Sequence, residues 1–180
     1  MDEPAPNTGN IVLTGFMGTG KSSVGRRIAE KLGREFVDTD ELIEDRHGPI
    51  TGIFATRGED VFREMERGLA YELADRDGLV ISTGGRMMLD PDNVEALARD
   101  GQIFCLVATT DEILDRVRSD SSRPERPLLQ VADPRARIDE LLAERERGYA
   151  EFRQVVTTGQ SIDDVVAELM RLVRGPTAES

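Results

Sequence analysis

The stretch Gly15-Phe16-Met17-Gly18-Thr19-Gly20-Lys21-Ser22 decides the fold of this 180-residue chain. It matches the pattern G-x-x-x-x-G-K-[ST] in full, follows the apolar segment 10–14 and opens a helix predicted at 21–32. Glycines let backbone N–H groups turn toward a polyphosphate, and the helix N-terminus adds a favourable dipole. We therefore predict a phosphate-binding loop in which Lys21 reaches the outer phosphates and the Ser22 hydroxyl holds Mg²⁺.

Short apolar strands and helices alternate along the chain on either side of this loop. Strands are predicted at 10–14, 35–38, 79–83, 103–107 and 155–157. Helices are predicted at 21–32, 40–46, 59–74, 109–119, 134–149 and 161–173, with a further helix after Pro91. This alternation is typical of an α/β fold with a mainly parallel sheet and helices on both faces. In such sheets ligands bind at the carboxyl ends of the strands.

A single domain is predicted over residues 10–174. Residues 1–9 and 175–180 have the polar composition of short disordered ends. The first of these segments also lacks the basic and apolar regions of a secretory signal. No apolar run approaches the roughly 20 residues that a membrane span needs. One thiol, Cys105, cannot form a disulfide within the chain, so we expect the protein in the reducing cytoplasm.

The composition argues against several classes of function. A net charge of -12 repels nucleic acid and anionic lipid in general. The single cysteine, Cys105, lies in an apolar run, and the single histidine, His47, leaves no His/Cys cluster for zinc. We expect small-molecule partners, no nucleic acid or membrane partner, and a monomer.

The segment Asp38-Thr39-Asp40 follows the second predicted strand. Two carboxylates separated by one residue can divide two tasks, since one can face a metal ion while the other accepts a proton from an attacking hydroxyl. The same residues also suit a helix N-cap, because a helical stretch follows them. The neighbouring phosphate loop favours the first interpretation.

Two arginines are candidates for binding an acidic ligand. A carboxylate in a closed site needs planar, bidentate partners, and arginine supplies them better than lysine. From spacing alone Arg63 and Arg145 equally suit ion pairs on a helix surface, for example Arg63 with Glu59 or Glu66. Arg126 equally suits the role of a solvated charge on an exposed loop.

Six segments together resemble the shikimate kinase family. They are Phe16-Met17-Gly18, Asp38-Thr39-Asp40, the run from Ile53-Phe54 through Gly58-Glu59 to Phe62-Arg63 and Glu66, Ser82-Thr83-Gly84-Gly85, Arg126-Pro127-Leu128-Leu129, and Arg145 with Tyr149 four residues later. They occur in the family's order and roughly its spacing, over residues 10–173.

The resemblance implies a P-loop fold of the nucleoside-monophosphate-kinase kind, with a five-stranded parallel sheet and a mobile lid at about 116–129. It implies ATP and Mg²⁺ as cofactors and the phosphorylation of shikimate to shikimate 3-phosphate, a step toward aromatic amino acids. Three alternatives stay open: a P-loop kinase for another hydroxy acid or sugar acid such as gluconate, a nucleotide-binding module without catalysis, and a nucleotide-dependent switch.

The resemblance also implies roles for individual residues. The catalytic residues are Lys21, Asp40 as the base and the lid arginine Arg126. The nucleotide-binding residues are Gly15, Gly18, Thr19, Gly20, Lys21, Ser22, Ser23, Arg116 and Arg126. The residues that bind the acid are Asp40, Arg63, Gly84, Gly85 and Arg145, and the metal ligands are Ser22 and Asp38.

Two residues depart from the family's pattern. Arg86 stands where the family has a third glycine, and Arg147 stands where it usually has proline. An inward Arg86 would crowd the acid or pair with an anionic group, whereas an outward Arg86 would be solvated. We expect the outward orientation, so that shikimate is accepted and Arg86→Gly changes kcat/KM by less than about tenfold.

Overall fold

Five parallel strands form the sheet of the computed structural model, which describes residues 9–120 and 129–173. The strands are β1 (Ile11–Gly15), β2 (Glu35–Asp38), β3 (Leu79–Ser82), β4 (Gln102–Val107) and β5 (Arg153–Val156). Their order is β2-β3-β1-β4-β5, and every neighbouring pair is parallel. The predicted parallel α/β fold is confirmed.

The helices connect these strands. They are α1 (Lys21–Leu32), α2 (Thr39–His47), α3 (Ile50–Arg57), α4 (Glu59–Ala74), α5 (Pro91–Ala98), α6 (Thr110–Ser119), α7 (Pro134–Ala150) and α8 (Ile162–Val173), with a single 3-10 turn at Met87–Leu89. All the predicted helices are present. The sequence pattern does not predict α3, because Ile53 is its one buried residue and so no apolar stripe marks this helix.

An apolar cluster lies on each face of the sheet, and β1, which begins with three apolar residues, contributes to both. Val12 packs on one face, in a cluster with buried residues of α4 and α5, while Leu13 packs on the other with α1 and α8. Alternate side chains of a strand point to opposite faces, so a strand covered on both sides needs apolar residues at consecutive positions.

β1 lies at the centre of the sheet, and its position determines where a ligand site can form. From β1 the chain runs toward one edge of the sheet, where β2 lies. From β4 it runs toward the opposite edge, where β5 lies. A crevice forms at the carboxyl ends of neighbouring strands whose connections run in opposite directions. The phosphate loop, which follows β1, therefore lies in this crevice.

The surroundings of Cys105 and Arg147 agree with their sequence context. Cys105 is buried in β4, and burial raises the pKa of its thiol to about 11, as suits a core residue. Arg147 is exposed on α7, which continues without a break to Ala150, so an arginine in place of the family's proline leaves this helix regular.

Within the described part of the chain, no helix is both long and apolar enough to cross a membrane.

Candidate active site

A cleft with a volume of about 1380 Å³ opens at the carboxyl ends of the strands. It is lined by the residues that follow three neighbouring strands: 17–22 after β1, Asp38 and Asp40 at and beyond the end of β2, and 82–86 at the end of β3. Residues from α4 and α7 complete one end of it, and residues from α6 and the start of α8 complete the other. The sheet thus brings the chemically distinctive segments of the sequence into one cavity.

The phosphate loop has the backbone shape that its glycines predict. Gly15 has a φ of 131°, and a Cβ at this position would lie 2.3 Å from the carbonyl oxygen of Leu106 in β4. The buried Thr19 closes the turn by donating from its hydroxyl to the Phe16 carbonyl at 2.7 Å. Lys21 Nζ donates to the carbonyls of Gly15 at 2.8 Å and Phe16 at 2.9 Å, which holds the ammonium group over the loop.

A hydroxyl and a carboxylate meet beside this loop. Ser22, at the start of α1, donates from its Oγ to Asp38 Oδ2 at 2.7 Å. The other oxygen of Asp38 accepts from the backbone N–H groups of Asp40 and Glu41, so Asp38 is also the N-cap of α2. Both interpretations of Asp38-Thr39-Asp40 therefore apply at once, since the cap fixes the carboxylate that faces Ser22.

Asp38 and Ser22 offer the oxygen ligands that Mg²⁺ prefers. Magnesium commonly takes one or two protein carboxylates and fills its other positions with phosphate oxygens and water. Among the described residues no group of three or more His, Cys, Asp or Glu side chains is arranged to hold a metal by itself. The donor set fits a metal ion that arrives with a nucleotide.

The other end of the cleft is built around Gly84. Its N–H donates to the Thr39 hydroxyl at 2.9 Å, which fastens the loop after β3 to the start of α2. A Cβ on Gly84 would lie 2.6 Å from Asp40 Oδ1 and 3.1 Å from Glu66 Oε1. Only a glycine leaves room for both carboxylates, so Gly84 determines how closely they approach the loop.

Arg63 lies in the wall of this end, between two carboxylates of its own helix. Its Nη1 donates to Glu66 Oε2 at 2.6 Å, and its Nε and Nη2 donate to Glu59 Oε1 at 3.2 Å and 2.9 Å. The ion pairs considered from the sequence are thus present, and Arg63 and Glu66 of these pairs lie in the cleft wall. These ion pairs hold the guanidinium in place there.

Glu66 is the most deeply buried carboxylate in the described cleft wall, with 1% of its surface exposed. Burial raises its pKa to about 7; Arg63 opposes this rise, and the charges of Asp40 and Asp90 add to it. A buried carboxyl group keeps its proton because burial disfavours the charged form more than one guanidinium favours it. Near neutral pH this side chain therefore exists in both protonation states.

Arg145 reaches the same end from α7 and is buried, with 4% of its surface exposed. Its guanidinium lies 5.1 Å from the centre of the Phe16 ring, within the range of a cation–π contact. Its Nη1 lies beside Gly85, and its buried Nε has no hydrogen-bond partner among the described residues. One helical turn later, the Tyr149 hydroxyl donates to the Gly85 carbonyl, and burial raises the pKa of this phenol.

Arg116 lies at the opposite end of the cleft, beside the phosphate loop. It donates to the Gly18 carbonyl at 3.3 Å, to Thr157 Oγ1 at 3.0 Å and to Glu112 Oε1 at 2.6 Å. These contacts join the phosphate loop to α6 and to the residues after β5. Ser23 lines the cleft beside Ser22, whereas Arg126 and most of the predicted lid lie outside the described residues, so their roles stay predictions.

Arg86 lies at the rim of the cleft, at the end that also contains Arg63 and Arg145. Its side chain is 51% exposed, in agreement with the expected outward orientation, and its Nη1 lies 4.0 Å from Glu59 Oε1. The residue lines the cleft without filling it.

Three residues of this site were not proposed as site residues from the sequence, namely Glu59, Glu66 and Tyr149. A signal for Glu66 exists, since it lies at helical spacing from Phe62 and Leu69 on the face of α4 that is buried. A carboxylate on an apolar face indicates a polar partner inside the protein. Glu59 and Tyr149 lack such a pattern, although both stand in segments that resemble the family.

Comparisons with known proteins match the chain over most of its length. A family model described as shikimate kinase covers residues 17–174. The shikimate kinase of Thermodesulfovibrio yellowstonii is 42% identical over 174 residues, covering 93% of this chain and 99% of the relative. That of Pelotomaculum thermopropionicum is 44% identical over 167 residues, covering 92% and 95%. A solved structure of shikimate kinase from Acinetobacter baumannii in complex with shikimate superposes with a TM-score of 0.86 at 35% identity, covering 97% of both chains.

Proposed function

The chain belongs to the shikimate kinase family, and on that premise we propose that it transfers the γ-phosphoryl group of ATP to shikimate, giving shikimate 3-phosphate. One observation carries the proposal beyond family membership. A phosphate loop and a pair of arginines face the same cleft, with the carboxylate of Asp40 lining it as well. Such a cleft can hold a nucleotide and a small hydroxy acid together, which is what direct transfer requires.

The acid binds through Arg63 and Arg145. Both guanidinium groups line the same end of the cleft, and each is held by protein contacts before any ligand arrives. Arg145 lines the cleft with its Nη1 beside Gly85, so the terminal nitrogens of its guanidinium are suited to a carboxylate oxygen. Two such charge-assisted contacts fix the orientation of the acid as well as its affinity.

Asp40 orients the attacking hydroxyl and accepts its proton. The carboxylate lies against Gly84, in the same end of the cleft as the two arginines. A base must lie within hydrogen-bond reach of the proton that it removes, and an acid held by Arg63 and Arg145 brings its ring hydroxyls to this carboxylate.

The phosphates of ATP bind on the loop, where the N–H groups at the start of α1 and the ammonium group of Lys21 face negative charge. Ser22 and Asp38 would hold the Mg²⁺ of the nucleotide, since their oxygens already lie together beside the loop. When bound, this ion neutralises charge on the phosphate oxygens during transfer. Lys21 does the same from the protein side.

Coupled ADP release tests the proposal directly. We expect ATP to be consumed rapidly when shikimate is present and slowly when it is absent, because transfer needs an acceptor hydroxyl. Gluconate is the comparison substrate, since a kinase of the same architecture for a sugar acid would prefer it. Faster turnover with gluconate than with shikimate would overturn the proposed substrate, and no stimulation by either would overturn the proposed activity.

We also propose that the enzyme works as a monomer in the cytoplasm. Both ends of the cleft are built by residues of one chain, so a second copy is not needed to complete the site. The cytoplasm supplies the ATP that the reaction consumes. Analytical ultracentrifugation with and without both substrates tests the first point, and a dimer that alone is active would contradict it.

A further inference from the structure

Glu59 is shared by two arginines at the rim of the cleft. Its Oε1 accepts from Arg63 at 2.9 Å and 3.2 Å, and the same oxygen lies 4.0 Å from Arg86 Nη1. The hydrogen bonds from Arg63 are the largest cause of a lowered pKa of Glu59, and the charge of Arg86 contributes in the same direction. Glu59 is therefore a carboxylate, and it faces Arg63 from one side and Arg86 from the other.

The hydrogen bonds of Arg63 determine where an acid can bind to it. A guanidinium group has five N–H donors, and three of them go to Glu59 and Glu66. One N–H group remains on each terminal nitrogen of Arg63. A carboxylate that uses these two donors shares Nη2 with Glu59, and the two anions then lie close together.

Repulsion between these two anions weakens binding of the acid unless a cation holds Glu59 away. Like charges this close disfavour each other, and the partly buried setting of Arg63 strengthens the effect. Arg86 is the cation in place to do this. Its side chain is half exposed and can turn, and a small movement brings its guanidinium from 4.0 Å to hydrogen-bond distance from Glu59 Oε1.

We propose that Arg86 is a positioning residue for the acid substrate: when the acid's carboxylate binds Arg63, Glu59 moves from Arg63 to Arg86. The inference rests on the proposed function, because it concerns the carboxylate of the proposed substrate. Arg86 acts through Glu59 and does not contact the acid. It favours acids with a carboxylate over neutral analogues, because only an anion on Arg63 creates the repulsion that Arg86 relieves.

The test is a double-mutant cycle with shikimate and its uncharged carboxamide as substrates. Arg86→Met removes the charge and keeps most of the length, and Arg86→Lys keeps the charge. Each change is made in the parent protein and in Glu59→Gln, and kcat and KM are measured for both substrates and for ATP. Thermal unfolding of each variant shows that it is folded.

In the parent background we expect Arg86→Met to raise KM for shikimate about two- to fivefold, the range for a partly exposed ion pair. The kcat and the KM for ATP stay within about twofold, since neither involves the acid's carboxylate. Arg86→Lys recovers most of the loss. With the carboxamide, or in Glu59→Gln, the effect of Arg86→Met falls below about 1.5-fold, because the coupling between the two side chains has been removed.

Other outcomes overturn the inference. An equal rise of KM for shikimate in the parent and in Glu59→Gln would mean that Arg86 contacts the acid directly. No change of KM in any variant would mean that Arg86 is only a solvated charge. A parent protein that does not phosphorylate shikimate at all would overturn the proposed function and this inference with it, whereas an active parent with additive effects overturns the role of Arg86 alone.

Discussion

At the scale of single residues, the phosphate loop is positioned by its local sequence, whereas the acid-binding arginines are positioned by the packing of helices that are distant in the chain. Lys21 is placed by its local sequence, because loop, lysine and helix are consecutive in the chain. Arg63 and Arg145 lie far apart in sequence and meet only because α4 and α7 border the same cleft. For this reason a short motif predicts Lys21, whereas Arg63 and Arg145 were assigned only through family resemblance.

Lys21→Ala tests the phosphate loop. Lys21 is the cation held over the loop by the carbonyls of Gly15 and Phe16. Loss of one preorganised charge of this kind lowers turnover on the order of a hundredfold or more. Coupled ADP release with saturating shikimate measures the effect, and near-normal turnover would show that phosphates bind elsewhere.

Arg145→Ala tests the acid-binding end, and its neighbour Arg147 provides a matched control on the same helix. Arg145 is buried in the cleft wall, whereas Arg147 is exposed. Loss of Arg145 should weaken binding of shikimate by roughly 2–5 kcal/mol while changing the affinity for ATP much less. Arg147→Ala should leave both affinities unchanged. Calorimetric titration separates the two ligands, and equal weakening of both by Arg145→Ala would indicate a general folding defect instead.

Glu66→Gln tests the protonation of the buried carboxyl group. Its folded-state pKa of about 7 lies above the value of an unfolded chain, so the folded state holds the proton more tightly. The resulting stabilisation is complete at pH values below the unfolded pKa and is lost as pH rises through 7. Glutamine does not titrate, so the variant should gain stability relative to the parent between pH 5 and pH 8, by on the order of 2–3 kcal/mol. Urea unfolding across this range measures it, and a constant difference would refute the raised pKa.

At the scale of elements, periodicity predicts helices and strands well where they border the core. α1 and α4 have apolar residues at helical spacing and were found with the predicted bounds. α3 is different, since a proline at its N-cap and a single buried residue leave its short sequence without a pattern. The interpretation of Asp38 from the sequence was incomplete. The capping and metal-facing interpretations were treated as alternatives, but two oxygens allow one carboxylate to do both.

Gly84→Ala tests the loop that follows β3. The new Cβ would lie 2.6 Å from Asp40 Oδ1, so the carboxylate must move away from the site. Because a side chain can shift at little cost, we expect a loss of stability below about 1 kcal/mol, whereas kcat should fall by about tenfold or more as the base is displaced. The control is Gly68→Ala in α4, where a Cβ meets nothing within 4 Å and should stabilise the helix by about 1 kcal/mol. Unchanged kcat in Gly84→Ala would show that Asp40 does not act from its present position.

At the scale of the whole molecule, the sheet order explains why one cleft serves two ligands. β1 contributes the phosphate loop at the centre of the sheet. The Gly84–Gly85 segment follows β3, which lies beside β1, and Asp38 and Asp40 lie at and beyond the end of β2, the next strand outward. The alternation of strands and helices predicted this parallel sheet, and the general rule for such sheets predicted the edge at which ligands bind. The local sequence pattern does not predict the order of the strands, because this order depends on how the helices cover both faces of the sheet.

The central claim is that the cleft passes a phosphoryl group directly from ATP to a hydroxyl of shikimate. Phosphorus NMR of a reaction mixture containing ATP, Mg²⁺ and shikimate tests it most directly. The account predicts a new phosphomonoester signal, coupled to the proton at carbon 3 of the acid, that grows in step with ADP. ADP formed together with inorganic phosphate alone, or an ester on a different hydroxyl, would contradict it.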